Sequence, residues 1–503
     1  MSDPYILKAI VKLIILLFKN IYKIFFIYII MCGICAVLYN NNNNGFDIFQ
    51  ALISIQHRGQ DGAGIYYCND NFEKNIKKSG LICDIFNHDQ LNAMNAHTYL
   101  AHTRYKTNSI YNSFQPFNFS HDNITIKTNK KKKRKPFDIS LCHNGNIINT
   151  HHLISILSNQ FDYHFNSPVS DSFILTVLIF YKLTQYSTNQ LLNFSHIIHL
   201  SKFLNETIVG SFSLIINIRN YGIIAIRDQH GIRPLSYGKN DNDDILISSE
   251  SCSFNNTNFH FISDVNPGET ILFQQNKSPE AFMLSHNPYT IFKPCLFEYI
   301  YFSRLDSIIA EISVYNFRFM LGELLAKIID LNDIDFIIPT PETSRVYAYG
   351  LSSATSIPIQ ECIIRNRYIN RTFILDDKNQ IEKKINQKFS VVSQIVKDKN
   401  VILIDDSIVR GNTSKKVIEL LKQSGANKVI FASASPKIFN TNNFGIFIEN
   451  KDELITFPNK TNDDIANSIG AHKVYYNNLE DVLQIIKYLN PFINNMEISM
   501  FLK

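Results

Sequence analysis

The chain has no tryptophan and almost no net charge: 49 basic against 44 acidic residues leave +5 over 503 positions. So slight an excess does not by itself imply a nucleic-acid partner, which needs a concentrated positive field. Nor is there a disulfide framework. Eight cysteines, at 32, 35, 68, 83, 142, 252, 295 and 362, show no repeating spacing, and none follows Cys362. That pattern fits a reducing cytoplasm. The chain also lacks a Gly-x4-Gly-Lys-[Ser/Thr] turn, so an apolar strand ending in aspartate near residue 405 has no partner for nucleoside triphosphate hydrolysis. What is abundant is Asn, Lys, Ile, Phe and Tyr, the bias that AT-rich coding produces. Much of the lysine content and the run from Asn40 to Asn44 are therefore background, the run reading as a solvated turn. The length allows two or three domains with ample core.

Residues 1–30 are strongly apolar, with lysines at 8, 12, 19 and 23 sharing one helical side. Lys19 and Lys23 interrupt the roughly 20 apolar residues that a membrane span requires. The segment has no arginine and no small-residue cleavage site before Met31. An interfacial anchor or a targeting peptide is one reading. The simpler one is that translation starts at Met31, so that residues 1–31 are a leader either removed or never made and Cys32 becomes the first residue.

From Cys32 the motifs come in a definite order. Cys32, Gly33 and Ile34 lead into a β-type run from Cys35 to Tyr39. A helical pattern over 46–55 ends at Gln56, His57, Arg58, Gly59, Gln60 and Asp61. Then come Ala101, His102, Thr103, Arg104 and Tyr105, and later Cys142, His143, Asn144, Gly145 and Asn146. This order resembles the glutamine phosphoribosylpyrophosphate amidotransferases. The resemblance implies that Cys32 is a nucleophile whose own α-amino group is the base, a thiol near pKa ~8.5 beside an amine near ~7.7–8.0. It implies that Asn144 and the amide of Gly145 form an oxyanion hole. Arg104 would grip the glutamine carboxylate with its planar fork. Asp171, after Ser170 at the head of an apolar helix over 171–182, would take the ammonium. The residues after Tyr105 (Lys106, Asn108, Ser109) depart from the family pattern. Cys35 makes a Cys-x-x-Cys with Cys32, but no second pair or histidine stands at ligand spacing, so it reads as a buried strand residue. The basic run 130–136 reads as a solvated loop rather than a nuclear signal or RNA contact. Residues around Gly210, Arg227, Arg233, Glu250 and Glu269 read as structural core.

A polar stretch over 274–294 marks a linker, and Cys295 to Arg304 resembles the family's junction signature. Beyond it, helices (315–329, 344–355, 413–424) alternate with apolar strands (336–338, 400–404, 428–433), which implies a parallel sheet with flanking helices. The strand before Asp405 and Asp406 delivers two acids to the sheet's carboxyl edge, where ligands of such sheets bind. Ser407, Gly411 and Thr413 follow at a helix N-terminus, whose amides and dipole suit a 5′-phosphate. This resembles the phosphoribosylpyrophosphate loop of type I phosphoribosyltransferases. The likeness implies that Asp405 and Asp406 hold the ribose hydroxyls and the metal, that Thr343 stands at a metal position, and that Arg365 and Tyr368 lie on a loop closing over substrate. That loop departs from the family at residues 376–381, and Asn412 replaces a usual threonine.

The expected fold is an N-terminal αββα hydrolase of the N-terminal-nucleophile (class-II glutamine amidotransferase) type over 32–280. It is joined to a C-terminal type I phosphoribosyltransferase α/β domain with a parallel sheet over 281–503, ending in a helical tail. The family resemblance implies glutamine and 5-phosphoribosyl 1-pyrophosphate as substrates and Mg²⁺ as cofactor. It also implies purine nucleotides as feedback inhibitors and a cytoplasmic homo-oligomer, a tetramer, with no nucleic acid and no stable membrane insertion. No iron–sulfur cluster is expected, since only Cys295 lies near a cluster position. The alternatives are another class-II amidotransferase, disfavoured by the acids at 405–406, and a non-catalytic phosphoribosylpyrophosphate-sensing regulator, which has no use for glutaminase residues.

Overall fold

The computed structural model describes residues 32–104, 114–120, 137–187, 191–287, 291–366, 388–444 and 450–503. The leader, the residues from Tyr105 to Ser109, the basic run 130–136, Tyr368 and the altered stretch 376–381 lie outside the described residues.

Two antiparallel sheets lie face to face in the first half. One has seven strands, in the order His260–Asp264, Ser236–Lys239, Ile245–Ser248, Cys32–Asn43, Ala96–Arg104, Gly62–Cys68, Glu73–Ser79. The other has six, in the order Glu280–Met283, Glu269–Phe273, Gly222–Arg227, Gly210–Ile218, Ile139–Ile147, Phe117–Phe119. Strand alternation sorts the side chains into layers. Ile34, Ala36, Leu38, Leu100 and Cys142 pack in the interior between the sheets with Ile215, Ala225 and Ile247. Cys35, Val37, Tyr99 and Ala101 face outward onto the helix Phe46–Ser54. The outer face of the second sheet is covered by helices Thr150–Phe161, Asp171–Tyr186 and Phe194–Thr207. The result is the αββα layering expected. Cys35 is fully buried, and burial pushes its thiol well up.

Several local expectations are corrected. The asparagine run is not a turn: the first strand continues to Asn43, past a register shift that pairs Asn43 with Ala96. Its main chain is held there by side chains, Tyr99 Oη donating to the Asn43 carbonyl at 2.6 Å and Asp244 Oδ1 accepting from Asn40 N at 2.8 Å. The polar side chains at 41–43 stay exposed, so the composition is satisfied without ending the strand. The apolar helix at 171 runs to Tyr186, a turn beyond the expected 182. The strand Glu280–Met283 belongs to the six-stranded sheet, so a boundary at residue 280 falls within a paired strand.

In the second half, four parallel strands stand in the order Phe336–Pro339, Asn400–Asp405, Lys428–Ser433, Lys473–Tyr476. Helices Val314–Leu325 and Arg345–Thr355 share one core with Ile337, Ile402 and Ile430, while Asn412–Gln423 and Asn462–Ile469 pack on the other face with Ile338, Leu403 and Phe431. The first of these helices is a turn shorter than the expected 315–329, because residues 326–328 tighten to bonds reaching back three positions.

Helices Val314–Leu325 and Arg345–Thr355 approach so closely that a Cβ on Gly350 would fall 1.9 Å from the Phe319 carbonyl oxygen, and one on Gly322 2.1 Å from that of Tyr347. Backbone on both sides leaves nothing to yield. Gly350→Ala is therefore expected to force the helices apart at a cost of about 1–3 kcal/mol. Thermal denaturation should show Tm lowered by several degrees, and an unchanged Tm would mean that the helices separate without cost.

Candidate functional site

The first strand begins with Cys32, and period-two alternation puts Cys32 on the face of Ile34 and Ala36, toward the space between the sheets. Arg104 ends the neighbouring strand directly opposite Cys32, on the same face as Leu100. The facing sheet contributes Asn144, on the side of Cys142. Cys32, Arg104 and Asn144 thus converge on one end of the sandwich interior from two different sheets. Asn144 is 1 % exposed, and its side-chain Nδ2 has no hydrogen-bond partner. A buried amide donor left unsatisfied costs about 1–3 kcal/mol, so it needs an explanation. Gly145, next along the strand, has φ +156 and pairs with Phe212 of the adjoining strand.

Asp171 is the first residue of its helix, with Ser170 as the capping residue before it. One carboxylate oxygen accepts from the Ile147 amide at 3.2 Å, and the other from Ser172 N at 2.7 Å. The first bond ties the helix end to the end of the Asn144 strand. His143 lies beside it, donating to or accepting from Ser172 Oγ at 2.9 Å, and burial lowers its pKa. Arg104 packs its guanidinium over the Phe114 ring at 5.2 Å.

The second group stands at the carboxyl edge of the parallel sheet. Adjacent strands end at Pro339 and Asp405, so the loops that follow meet side by side. Thr343 Oγ1 donates to Asp406 Oδ2 at 2.6 Å and Ser344 Oγ to Asp405 Oδ1 at 2.8 Å, while Ser407 Oγ donates to Asp406 Oδ1 at 2.7 Å. Burial, and then the charge of Asp406, raise the Asp405 carboxyl well above the usual range; burial raises Asp406 as well. Two adjacent carboxylates in so dry a place are a demand for a cation or for hydroxyl donors. Gly411, at φ +81, turns the chain into helix Asn412–Gln423, with no side chain capping its first amides. A Cβ there would meet Ile455 Cδ1 at 2.4 Å, and Arg410 pairs with Glu453, so the segment 453–455 buttresses the turn. Thr413 is exposed in the helix's first turn. Arg365 closes a short strand, Ile363–Arg365, paired with Phe389–Val391.

Known proteins match both halves. Residues 121–256 fit the sequence profile of the glutamine amidotransferase domain, and residues 315–437 that of the phosphoribosyl transferase domain. Over 482 residues the chain is 35 % identical to the amidophosphoribosyltransferase of Escherichia coli and 33 % to that of Pasteurella multocida, covering 94 % of this chain and 92 % of each relative. The chain belongs to the amidophosphoribosyltransferase family. The Saccharomyces cerevisiae member is 32 % identical over 91 % of this chain and 89 % of its own length. The solved glutamine phosphoribosylpyrophosphate amidotransferase of B. subtilis, complexed with ADP and GMP, superposes with a TM-score of 0.77 at 30 % identity, covering 90 % of this chain and 92 % of that one. The family accounts for the two-part architecture, an αββα amidotransferase half followed by a phosphoribosyltransferase half.

One cluster joins residues that the sequence reading kept apart: Arg58 in a family motif, Arg233 and Glu250 in the structural core, Glu298 in the junction signature. Arg58, Arg233, Glu250 and Glu298 meet in a buried seam between the two halves, and Arg58 Nε donates to the Cys32 carbonyl oxygen at 3.1 Å. The available signal was Glu298, a lone charge in the apolar run from Cys295 to Phe302.

Proposed function

We propose that glutamine is hydrolysed at Cys32 and that its ammonia displaces pyrophosphate from 5-phosphoribosyl 1-pyrophosphate at the Asp405–Asp406 edge. The products are 5-phosphoribosylamine, glutamate and pyrophosphate, which commits the sugar phosphate to purine synthesis. In a chain that starts at Cys32, the α-amine takes the thiol proton and the thiolate attacks the side-chain carbonyl of glutamine. The carbon–nitrogen bond breaks, the amine's proton goes to the leaving ammonia, and a thioester remains for water to cleave. The observation that carries this reading is the orphaned Nδ2 of Asn144. It is a preorganised donor with no partner until an oxyanion forms beside Cys32. The Gly145 amide is the second donor, Arg104 holds the substrate carboxylate, and Asp171 holds its ammonium.

At the second site, Asp405 and Asp406 receive the ribose hydroxyls, and Ser407, Gly411 and Thr413 receive the 5′-phosphate. Arg365 and Tyr368 are the further groups that bind this substrate. Mg²⁺ fits the donor set, since two carboxylates and the Thr343 hydroxyl are hard oxygen ligands. Among the described residues no group of three acidic, His or Cys side chains could hold a metal alone. That suits an ion which shares its coordination with substrate phosphates. When bound, Mg²⁺ neutralises charge on the departing pyrophosphate. With only Cys295 and Cys362 in the second half, no iron–sulfur cluster belongs to this reading. The first unit takes in the paired strand Glu280–Met283, so in this reading the two units divide just after it. Among the described residues no helix is long and apolar enough to cross a membrane. The reading places the enzyme in the cytoplasm as a homo-oligomer, a tetramer, restrained by purine nucleotides. The nucleotides bound to the B. subtilis relative support that restraint.

The deciding assay is phosphoribosylpyrophosphate-dependent release of glutamate and pyrophosphate by protein that starts at Cys32. Glutamine turnover that ignores phosphoribosylpyrophosphate and yields no pyrophosphate points to another amidotransferase. No turnover, with phosphoribosylpyrophosphate still bound, points to a sensor. Within the assay, Asn144→Ala is expected to lower glutamine-dependent kcat by about 10²–10³-fold while ammonium-dependent synthesis persists. Unimpaired glutamate release from that variant rules out the oxyanion assignment.

A further inference from the structure

The ionised seam reaches the nucleophile from the other half of the molecule. Arg58, Arg233 and Glu250 are 0 % exposed and Glu298 1 %, so two cations and two anions balance in a dry space. The Arg58 guanidinium is gripped on two sides. Glu298 takes it in a fork, from Nη2 at 2.7 Å and Nη1 at 3.1 Å, and Glu250 accepts from Nη1 as well. With those edges held, the plane of the guanidinium is set, and its remaining Nε–H points at the Cys32 carbonyl. Each carboxylate is itself fixed. Glu250 accepts from His57 Nε2 at 2.7 Å, Ser307 Oγ at 2.7 Å and Arg304 N at 2.9 Å. Glu298 accepts from Arg233 Nη1 at 2.8 Å and Ser303 Oγ at 3.2 Å.

Glu298 comes from a π-helical turn, Glu298–Phe302, packed in the core of the second half; Ser303 N closes it by donating to the Glu298 carbonyl at 3.0 Å. Turns of this kind are rare and concentrate at functional positions. Arg233 is tied to the second half too, its Nε and Nη2 donating to the Phe444 carbonyl at 3.2 and 2.9 Å. An apolar seam of the same volume would hold the halves together at least as well, because desolvation consumes most of what buried charges gain. What the charges supply is direction, a fixed plane where an apolar contact would leave a range of positions.

We propose that Glu298, a residue of the second half, is a positioning residue for glutamine hydrolysis: through Arg58 it fixes the backbone of Cys32, so the glutaminase centre is complete only with the second half in place. The proposal rests on Cys32 as the nucleophile. A main-chain carbonyl held at 3.1 Å fixes the Cα of the residue that carries both thiol and amine. Small errors in such an attack geometry are expensive in rate.

The test uses full-length protein with Cys32 exposed, comparing wild type, Glu298→Gln and Glu298→Asp. Glutamine-dependent and ammonium-dependent synthesis are measured on the same sample, together with the rate of Cys32 alkylation by iodoacetamide against pH. Glu298→Gln is expected to lower glutamine-dependent kcat by about 100-fold, with KM little changed and ammonium-dependent synthesis at the wild-type level. With one carboxylate fewer, the charge of Arg58 is less compensated near Cys32, so the alkylation midpoint should move to lower pH. Glu298→Asp keeps the charge and should recover part of the rate. Wild-type glutamine kcat in Glu298→Gln overturns the proposal. So does a parallel fall of both activities in both variants, which would make Glu298 a mere fastener. If alkylating Cys32 leaves wild-type glutamine turnover intact, the nucleophile assignment itself is what fails.

Discussion

Cys32→Ser is expected to abolish glutamine-dependent synthesis, by about 10⁴-fold or more, and to leave synthesis from high ammonium at the wild-type level. The size follows from the chemistry: losing the nucleophile of a covalent mechanism removes the whole pathway, leaving only what substrate binding and oxyanion donors contribute. Serine keeps the shape but offers a hydroxyl that an amine of pKa near ~7.7–8.0 cannot deprotonate as it does a thiol. The retention follows from the architecture. Cys32 stands half-buried at the start of a strand in the two-sheet half, while Asp405 and Asp406 stand at the edge of a separate parallel sheet with its own core. Loss of both activities would make Cys32 structural. The same logic applies to the residues before it. A chain that keeps Met31 has an amide where the base should be, and it should be inactive toward glutamine yet competent with ammonium. Mass spectrometry of the native N-terminus checks this directly, the expected first residue being Cys32.

Much of the architecture was legible because it rests on period and order. In the second half, apolar strands and amphipathic helices alternate with little interruption, and the strand expected at 428–433 has those bounds in the structure. The helix expected at 46–55 ends one residue earlier, at Ser54. Helices Thr150–Phe161 and Phe194–Thr207 were not legible, since His, Asn, Ser and Thr are weak helix formers and only a few apolar residues mark each buried face. They form because the second sheet's outer face must be covered and because local caps start them, as where Asn193 and His196 bond reciprocally. The motif residues were legible one by one, but their convergence was not: Cys32 and Asn144 come from different sheets, and only strand parity on the finished fold turns both inward. The seam was least legible of all. Its members stand at 58, 233, 250 and 298, and nothing local to Arg58 says that its partner lies 240 positions away. Acid should expose that arrangement. Burial pushes the Glu250 and Glu298 carboxyls up, but His57, Arg58 and Arg233 outweigh it and hold both below the usual range. The stabilisation is thus fully present above the unfolded pKa of about 4.3 and is lost as pH falls through the lower folded values.

Asp405→Asn and Asp406→Asn are expected to do the opposite of Cys32→Ser. Each should lower synthesis from glutamine and from ammonium together, by about 10²-fold or more. A hydrogen bond to a charged group contributes about 1.5–3 kcal/mol, and each carboxylate has oxygens to offer a ribose hydroxyl and a cation. An amide keeps the volume and one acceptor but neither the charge nor the second acceptor. Misfolding can be separated from this loss. Both carboxyls have raised pKa values, Asp405 through burial and then the nearby charge of Asp406, so their ionisation opposes folding near neutral pH. Removing one charge should leave the fold as stable as wild type or more so, with the Ser344 hydroxyl and the Asp406 amide still able to donate to the retained oxygen at position 405. Activity should therefore collapse while Tm holds or rises, an outcome expected where a site keeps charges for its ligand at the expense of its own stability. A variant that lost Tm along with activity would mark the pair as structural. One that lost only glutamine hydrolysis would mean that the division of labour between the two halves is wrong.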